Sequence, residues 1–281
     1  MWSGSKACVL CLSLLLTTLS ALEIKLGCNP MCTLILLHRP ANDWPLIVAT
    51  NRDEMEERPW VPPGRHWADR PDVVAGHDLK AGGSWLGVND HGILAGILNR
   101  LGTLGPAPGM RSRGELVLEA LDHAEARAAA EALTDLDGRA WQPFNLVIAD
   151  ARDAFFVRHQ GDAEVGVSAL SEGLSMVTSH DPNDRRSPRV DAYIDRFREA
   201  EIPEPDTGGW AAWQTLMADT GSTAQADPLA AMCVITEHGF ATVSSSLIAL
   251  APVDDLQATW HWRFAPGKPN KTQYNEVIIN I

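Results

Sequence analysis

Short apolar runs bounded by turn residues dominate the chain, and three stretches of helical period interrupt them. Cys32–Leu37 and Leu46–Thr50 flank the turn-rich segment 41–45, which predicts a β-hairpin. Trp85–Asn89 and Ile93–Leu98 predict a second hairpin, with Gly92 in the turn. Further strands are expected at Phe144–Ala149, Ala154–Arg158, around Leu174–Thr178, and at Met232–Thr236, Ala241–Leu250 and Thr259–Phe264. Ser112 and Glu115 have the spacing of a capping box, opening a helix to about Leu133 with Leu116, Leu118, Leu121 and Ala124 as its buried stripe. Pro188 suits the first position of a second helix that carries Val190, Tyr193, Ile194 and Phe197 on one side. Gly208 and Gly209 introduce a third helix around Trp210, Trp213, Leu216 and Met217, and the Pro-rich segments 59–71 and 202–209 are expected to be loops.

Hairpins and helices come in blocks rather than in strict alternation. The expected class is therefore α+β, with largely antiparallel sheets covered by helices. Nothing in the pattern marks a repeat or a linker, so residues 31–281 are expected to form a single domain behind a leader, residues 1–30.

The leader contains an apolar run at 7–17, preceded by Lys6, which has the form of a signal-peptide core and is too short for a membrane span of about 20 residues. Two readings stand side by side. Either the leader is a signal, cut near Ala21 despite Leu19 at the minus-three position, and the protein is secreted or periplasmic. Or translation begins at Met31 and the protein is cytoplasmic. A lipoprotein site at Cys28 fits less well, because Lys25 stands where a leucine is expected. Cys8, Cys11 and Cys28 fall in the leader, leaving Cys32 and Cys233 in the body. A disulfide framework is not expected, and the body suits a reducing compartment. Asn270 to Thr272 forms a glycosylation sequon, relevant only to a secreted chain.

Charge narrows the partners. With 23 Lys and Arg against 36 Asp and Glu, the chain has a formal charge of −13 and repels phosphate backbones, which argues against nucleic acid. Residues 1–31 contribute a net +1, so the body carries −14. A hydrophobic content of 45% excludes disorder as the main state. The expected partner is a small molecule, with no stable membrane span in the body. The histidines are scattered without metal-ligand spacing, and neither a GxSxG, a P-loop nor a GxGxxG occurs, so no metal or cofactor is implied. Trp44, Trp60, Trp67 and Trp85 cluster near the first hairpin, as pocket walls or as ordinary core.

Met31-Cys32-Thr33 carries the sharpest chemistry. If Cys32 became the first residue, its thiol and α-amine would share one residue. An amine of pKa about 7.7–8.0 can take the proton of a thiol near 8.5, so nucleophile and base would come together without a histidine. The competing reading is a small buried hydrophobe that begins a strand.

Asn51-Arg52-Asp53-Glu54 follows the second strand. With the cysteine at the head, Gly82–Asn89, Ile97–Arg100, Met176–His180 and Thr242–Leu247, it resembles the NRDE family, which includes the transport and Golgi organisation protein two group. That family is similar to the N-terminal nucleophile hydrolases, above all the choloylglycine hydrolase and penicillin acylase branch. The resemblance implies a four-layer αββα sandwich and hydrolysis of a non-peptide amide or acyl bond. It implies Cys32 as nucleophile, Arg52 beside it, Asp53 as the carboxylate that holds the protonated amine, with Glu54 an alternative, and Asn99 in the oxyanion hole. Ser179 or His180 stands where related hydrolases have a second asparagine at the substrate, and Val243 stands where many members carry an arginine. Proposals attached to the family imply an alternative, a non-enzymatic carrier of haem or of a lipid or acyl group in trafficking or Golgi organisation. A third reading is an organiser that acts through protein contacts.

Overall fold

The computed structural model describes residues 32–278 other than 104, 106, 222–229 and 253–259. The readings of the leader, of Cys8, Cys11 and Cys28, and of Thr259 lie outside the described residues. Thirteen strands and four α-helices follow one another along the described chain. The first six strands are β1 (Thr33–His38), β2 (Leu46–Met55), β3 (Trp60–Gly64), β4 (Val73–Asp78), β5 (Leu86–Asn89) and β6 (Leu94–Asn99). Helices α1 (Gly114–Leu121) and α2 (Ala126–Ala132) precede β7 (Phe144–Ala149), β8 (Ala154–His159), β9 (Val165–Ala169) and β10 (Gly173–Val177). Helices α3 (Pro188–Glu199) and α4 (Ala211–Met217) lead to β11 (Phe240–Leu250), β12 (Trp260–Ala265) and β13 (Asn275–Glu276).

The strands form two antiparallel sheets, one in the order β10-β1-β2-β11-β12-β13 and one running β3 to β9 in sequence order. Side-chain alternation along each strand then builds the layers. Leu34, Leu36, Leu46 and Val48 point at the other sheet and meet Val74, Leu86, Val88, Leu94 and Val147. Ile35, Leu37, Ile47 and Ala49 point the other way, against Val190, Tyr193, Ile194 and Phe197 of α3 and Trp213 of α4. Ala95, Leu146 and Ile148 bear on Leu116, Val117 and Ala129 of α1 and α2. The result is the four-layer αββα sandwich. Burying each Leu or Ile contributes roughly 1.5–3 kcal/mol, so the central layer between the sheets is a main source of stability.

The two hairpins, the strand pair β7–β8, β10 and α3 with Pro188 at its start lie where the residue pattern places them. Gly92 has a φ of 83°, as the second hairpin turn requires. The long helix from Ser112 to Leu133 is a correction: it is two helices, and Ala124 is exposed in the break. Asn89 Nδ2 donates to the carbonyls of Leu121 and His123 at 2.8 and 2.7 Å and ends α1, while the Asp150 carboxylate accepts the Ala126 N–H at 2.8 Å and starts α2. Segment 59–71 is not wholly loop, because it contains β3. This strand lies at the sheet edge, where Pro62 and Pro63 cost little pairing. Met232–Thr236 is not a strand and makes one isolated bridge, Ile235 to Ala241. Among the described residues no helix is long and apolar enough to cross a membrane.

Candidate active site

The four residues Asn51 to Glu54 close β2, and the strand sends them alternately to its two faces. Asn51 is structural: its amide donates to the carbonyls of Met217 and Met232 at 3.0 and 2.8 Å, tying the end of α4 to the sheet. Asp53 points to the same side, where its carboxylate meets Arg189 Nη1 at 2.9 Å and accepts the Thr242 hydroxyl at 2.6 Å. Arg189 also donates to the Thr33 hydroxyl at 2.6 Å, and both members of the ion pair are buried. Burial pushes the Asp53 carboxyl up, against the pull of Arg189 and Thr242. Thr242 reaches it because β11 is bulged between Thr242 and Ser244, which leaves Val243 as the extra residue.

Cys32 immediately precedes β1, and one further step of the β1–β2 register sets it opposite Arg52. Its sulfur accepts the backbone N–H of Asp53 at 3.4 Å and its thiol faces the Asp53 carbonyl at 3.6 Å. Burial pushes the Cys32 thiol up to about 12, with the Asp53 carboxylate adding to the rise and Arg52 opposing it. In a continuous chain the group is a protonated thiol at neutral pH, so attack needs a base.

Cys32 lies on a cleft of about 330 Å³ that Arg52, Glu54, Trp85, Asn99 and Arg113 also line. The Arg52 guanidinium lies 4.2 Å from the Trp85 ring centre, and its Nη1 is buried without a hydrogen-bond partner among the described residues. Burial pushes the Arg52 pKa down. A side chain at Gly76 would collide with the Trp85 indole, so the absent Cβ is what lets the ring lie beneath Arg52. Glu54 links Arg52 at 3.9 Å to Arg58 at 3.5 Å, and Arg58 in turn grips Asp78 at 2.6 Å. Asn99 ends β6 at the cleft.

The sequence profile of the Transport and Golgi organisation 2 family matches residues 31–250. The chain belongs to this family. Its mouse relative, "Transport and Golgi organization 2 homolog", is 33% identical over 112 residues, 39% of this chain and 40% of that protein. The human "Transport and Golgi organization protein 2 homolog" is 32% identical over 120 residues, 40% of this chain and 41% of that protein. The chain thus matches about two-fifths of the length of these curated relatives. Among solved structures, the Caenorhabditis elegans N-acylethanolamine-hydrolyzing acid amidase ortholog is similar with a TM-score of 0.53 and 13% identity, covering 82% of this chain and 99% of that one. This likeness shows the fold alone, the αββα sandwich described above.

In this member of the family, Cys32, Arg52, Asp53 and Asn99 meet at one cleft, Asp53 through its backbone. Ser179 and His180 lie just past β10 and are not among the residues lining that cleft. Continuing the β1–β10 register sets Ser179 opposite Cys32, across the sheet. The His180 ring nitrogen is 3.4 Å from the Ser179 hydroxyl, burial pushes its pKa down, and its carbonyl accepts from Asn145 at 2.7 Å. Of the four clustered tryptophans only Trp85 lines the cleft. Trp60 stands edge-on to Trp85 and Phe264, Trp44 to His261, and Trp67 packs beside His66 and His77.

Sequence reasoning gave no role at the site to Arg189, Lys80 or Arg113, and quoted Thr242 only as part of a motif. Arg189 had a signal: it shares the i, i+4, i+8 stripe of Tyr193 and Phe197, and an arginine on a buried stripe needs a buried acceptor. Arg113 reaches the cleft because Gly83 and Gly114 bring two backbones into contact where neither has room for a Cβ, with Ser84 N–H donating to Gly114 O at 3.0 Å. That approach is a tertiary fact with no local signature.

Proposed function

We propose that the protein is an N-terminal cysteine hydrolase of a non-peptide amide or related acyl bond, active once Cys32 is the first residue. The observation that supports this most directly is the placement of Cys32 at the head of β1, on the cleft, with its sulfur fixed by the Asp53 N–H and with Arg52 and Asn99 around it. The α-amine accepts the thiol proton, which answers the high pKa of the buried sulfur. The thiolate attacks the carbonyl carbon while the Asn99 amide donates to the developing oxyanion. The C–N bond then breaks, and the departing amine takes the proton from the α-ammonium. Water attacks the thioester with its proton accepted by the amine, the acid leaves, and the thiol is restored.

The cleft lining is a second observation that supports this reading. Arg52, Arg58, Lys80, Arg111 and Arg113 line it, whereas three of the four clustered tryptophans do not, and a polar wall suits a polar reacting bond better than an apolar cargo. Intact-mass spectrometry during turnover of a slow acyl amide tests the reading. Addition of one acyl group that disappears in Cys32→Ala is expected. Turnover with unmodified Cys32, or a haem Soret shift in protein that hydrolyses no acyl compound, would overturn it.

A further inference from the structure

Two cations lining the cleft make no ion pair with a carboxylate among the described residues. Arg113, mostly buried, donates only to neutral acceptors: the Thr103 hydroxyl at 3.0 Å, the Pro143 carbonyl at 3.1 Å and the Gly105 carbonyl at 3.5 Å. Lys80 lies on the rim and makes no ion pair among the described residues. The other cations differ. Arg58 is matched to Asp78, and Arg111 to Glu115 and Glu119 at 2.6 and 2.9 Å. Arg52 has only the distant Glu54 carboxylate at 3.9 Å, and its buried Nη1 has no partner.

A partly buried guanidinium without an ion-paired carboxylate is costly, and a chain with 36 acidic residues has ample means to supply one. Arg113, Lys80 and part of Arg52 are thus left without an ion-paired carboxylate around one concave site, in a protein of formal charge −13. Burial holds the Arg113 pKa down to about 10, still well above neutrality, so the group stays charged. Its electrostatic neighbours include Cys32 and Glu54, which places that charge within range of the reacting sulfur.

We infer that the cleft is an anion subsite, and that the substrate is an acyl amide bearing a carboxylate which Arg113, Lys80 and Arg52 Nη1 receive while its carbonyl lies at Cys32. The subsite deepens the hydrolase reading and rests on it for the reaction, though not for binding. Each charged hydrogen bond of this kind is worth about a tenfold change in affinity or more.

The test compares N-dodecanoylglycine with N-dodecanoylethanolamine, which share the acyl chain and differ in charge, on protein beginning at Cys32. A succinic acid mono-alkylamide moves the carboxylate to the acyl half and reports which side of the bond the subsite serves. For at least one carboxylate substrate, kcat/KM about tenfold or more above that of the neutral amide is expected. The preference should shrink several-fold in Lys80→Gln and Arg113→Gln, persist in Arg113→Lys, and fall with added salt. Calorimetric titration of Cys32→Ala protein with the same compounds reads binding alone, and Lys80→Gln, an exposed position, covers the case in which Arg113→Gln fails to fold. Equal turnover and equal binding of charged and neutral amides would overturn the subsite and leave the hydrolase standing. Selective binding of a carboxylate compound without turnover by protein that begins at an unsubstituted Cys32 would overturn the hydrolase and leave the subsite standing.

Discussion

Asp53 donates its backbone N–H to the Cys32 sulfur at 3.4 Å while its carboxylate is clamped on the opposite face of β2 by Arg189 at 2.9 Å. One residue thus joins the nucleophile to a buried ion pair between the sheet and α3. With the carboxylate held by Arg189 and Thr242, the strand end cannot twist without breaking both contacts, so the position of the sulfur depends on groups that never touch the cleft.

Arg189→Met leaves the Asp53 carboxylate buried without a counter-charge. A loss of about 3–5 kcal/mol in urea unfolding is expected. Adding Asp53→Asn should restore part of it, and a smaller loss that the second substitution does not relieve would show the pair to be dispensable.

Asn99→Ala should lower kcat by about 10²–10³ with little change in KM, the signature of a donor that acts on the oxyanion rather than on the bound substrate. Equal changes in KM and unchanged kcat would assign Asn99 to ground-state binding. Steady-state kinetics with one acyl amide distinguish the two.

Gly76→Ala forces the Trp85 ring off its seat beneath Arg52. Activity should fall while unfolding stability drops by about 1–3 kcal/mol, the usual cost of overpacking. Tryptophan fluorescence would register the displaced indole; an unchanged spectrum with full activity would contradict the role given to this stack.

The Cys32 thiol gives the pH prediction. With a residue still attached before Cys32, its pKa stands near 12 against an ordinary 9.0. The folded state holds that proton more tightly, so the contribution to stability is full below about pH 9 and is lost as pH rises toward 12. Cys32→Ala should show a shallower alkaline loss in denaturant midpoints. Iodoacetamide labelling of the untrimmed protein should keep accelerating beyond pH 10. Trimmed protein should instead gain activity as its α-amine deprotonates, near pH 7.7–8.0.

How far the residues alone disclose this molecule depends on the range of the interaction. The hairpins at Cys32–Thr50 and Trp85–Leu98 are local, and turn chemistry with alternation marks both. The sidedness of β1 is less visible, because Leu34 and Leu36 face a sheet while Ile35 and Leu37 face helices, and a strand covered on both faces reads as one apolar run. The break between α1 and α2 depends on Asn89 and Asp150, both distant in sequence. Cys32, Arg52, Asp53 and Asn99 stood out through their motifs. The partner of Asp53 did not, since nothing near residue 53 points to residue 189. Arg113 became a site residue only through the glycine contact at Gly83 and Gly114.

The most direct test of the central claim is the N-terminus of active protein, read by intact-mass spectrometry on material sorted by turnover of an acyl amide. The account predicts that activity resides in chains beginning at Cys32, and that chains with any residue before it are inactive until that residue is removed. Full activity in chains retaining residues ahead of Cys32 would contradict it, because the thiol would then have reacted without the amine that serves as its base.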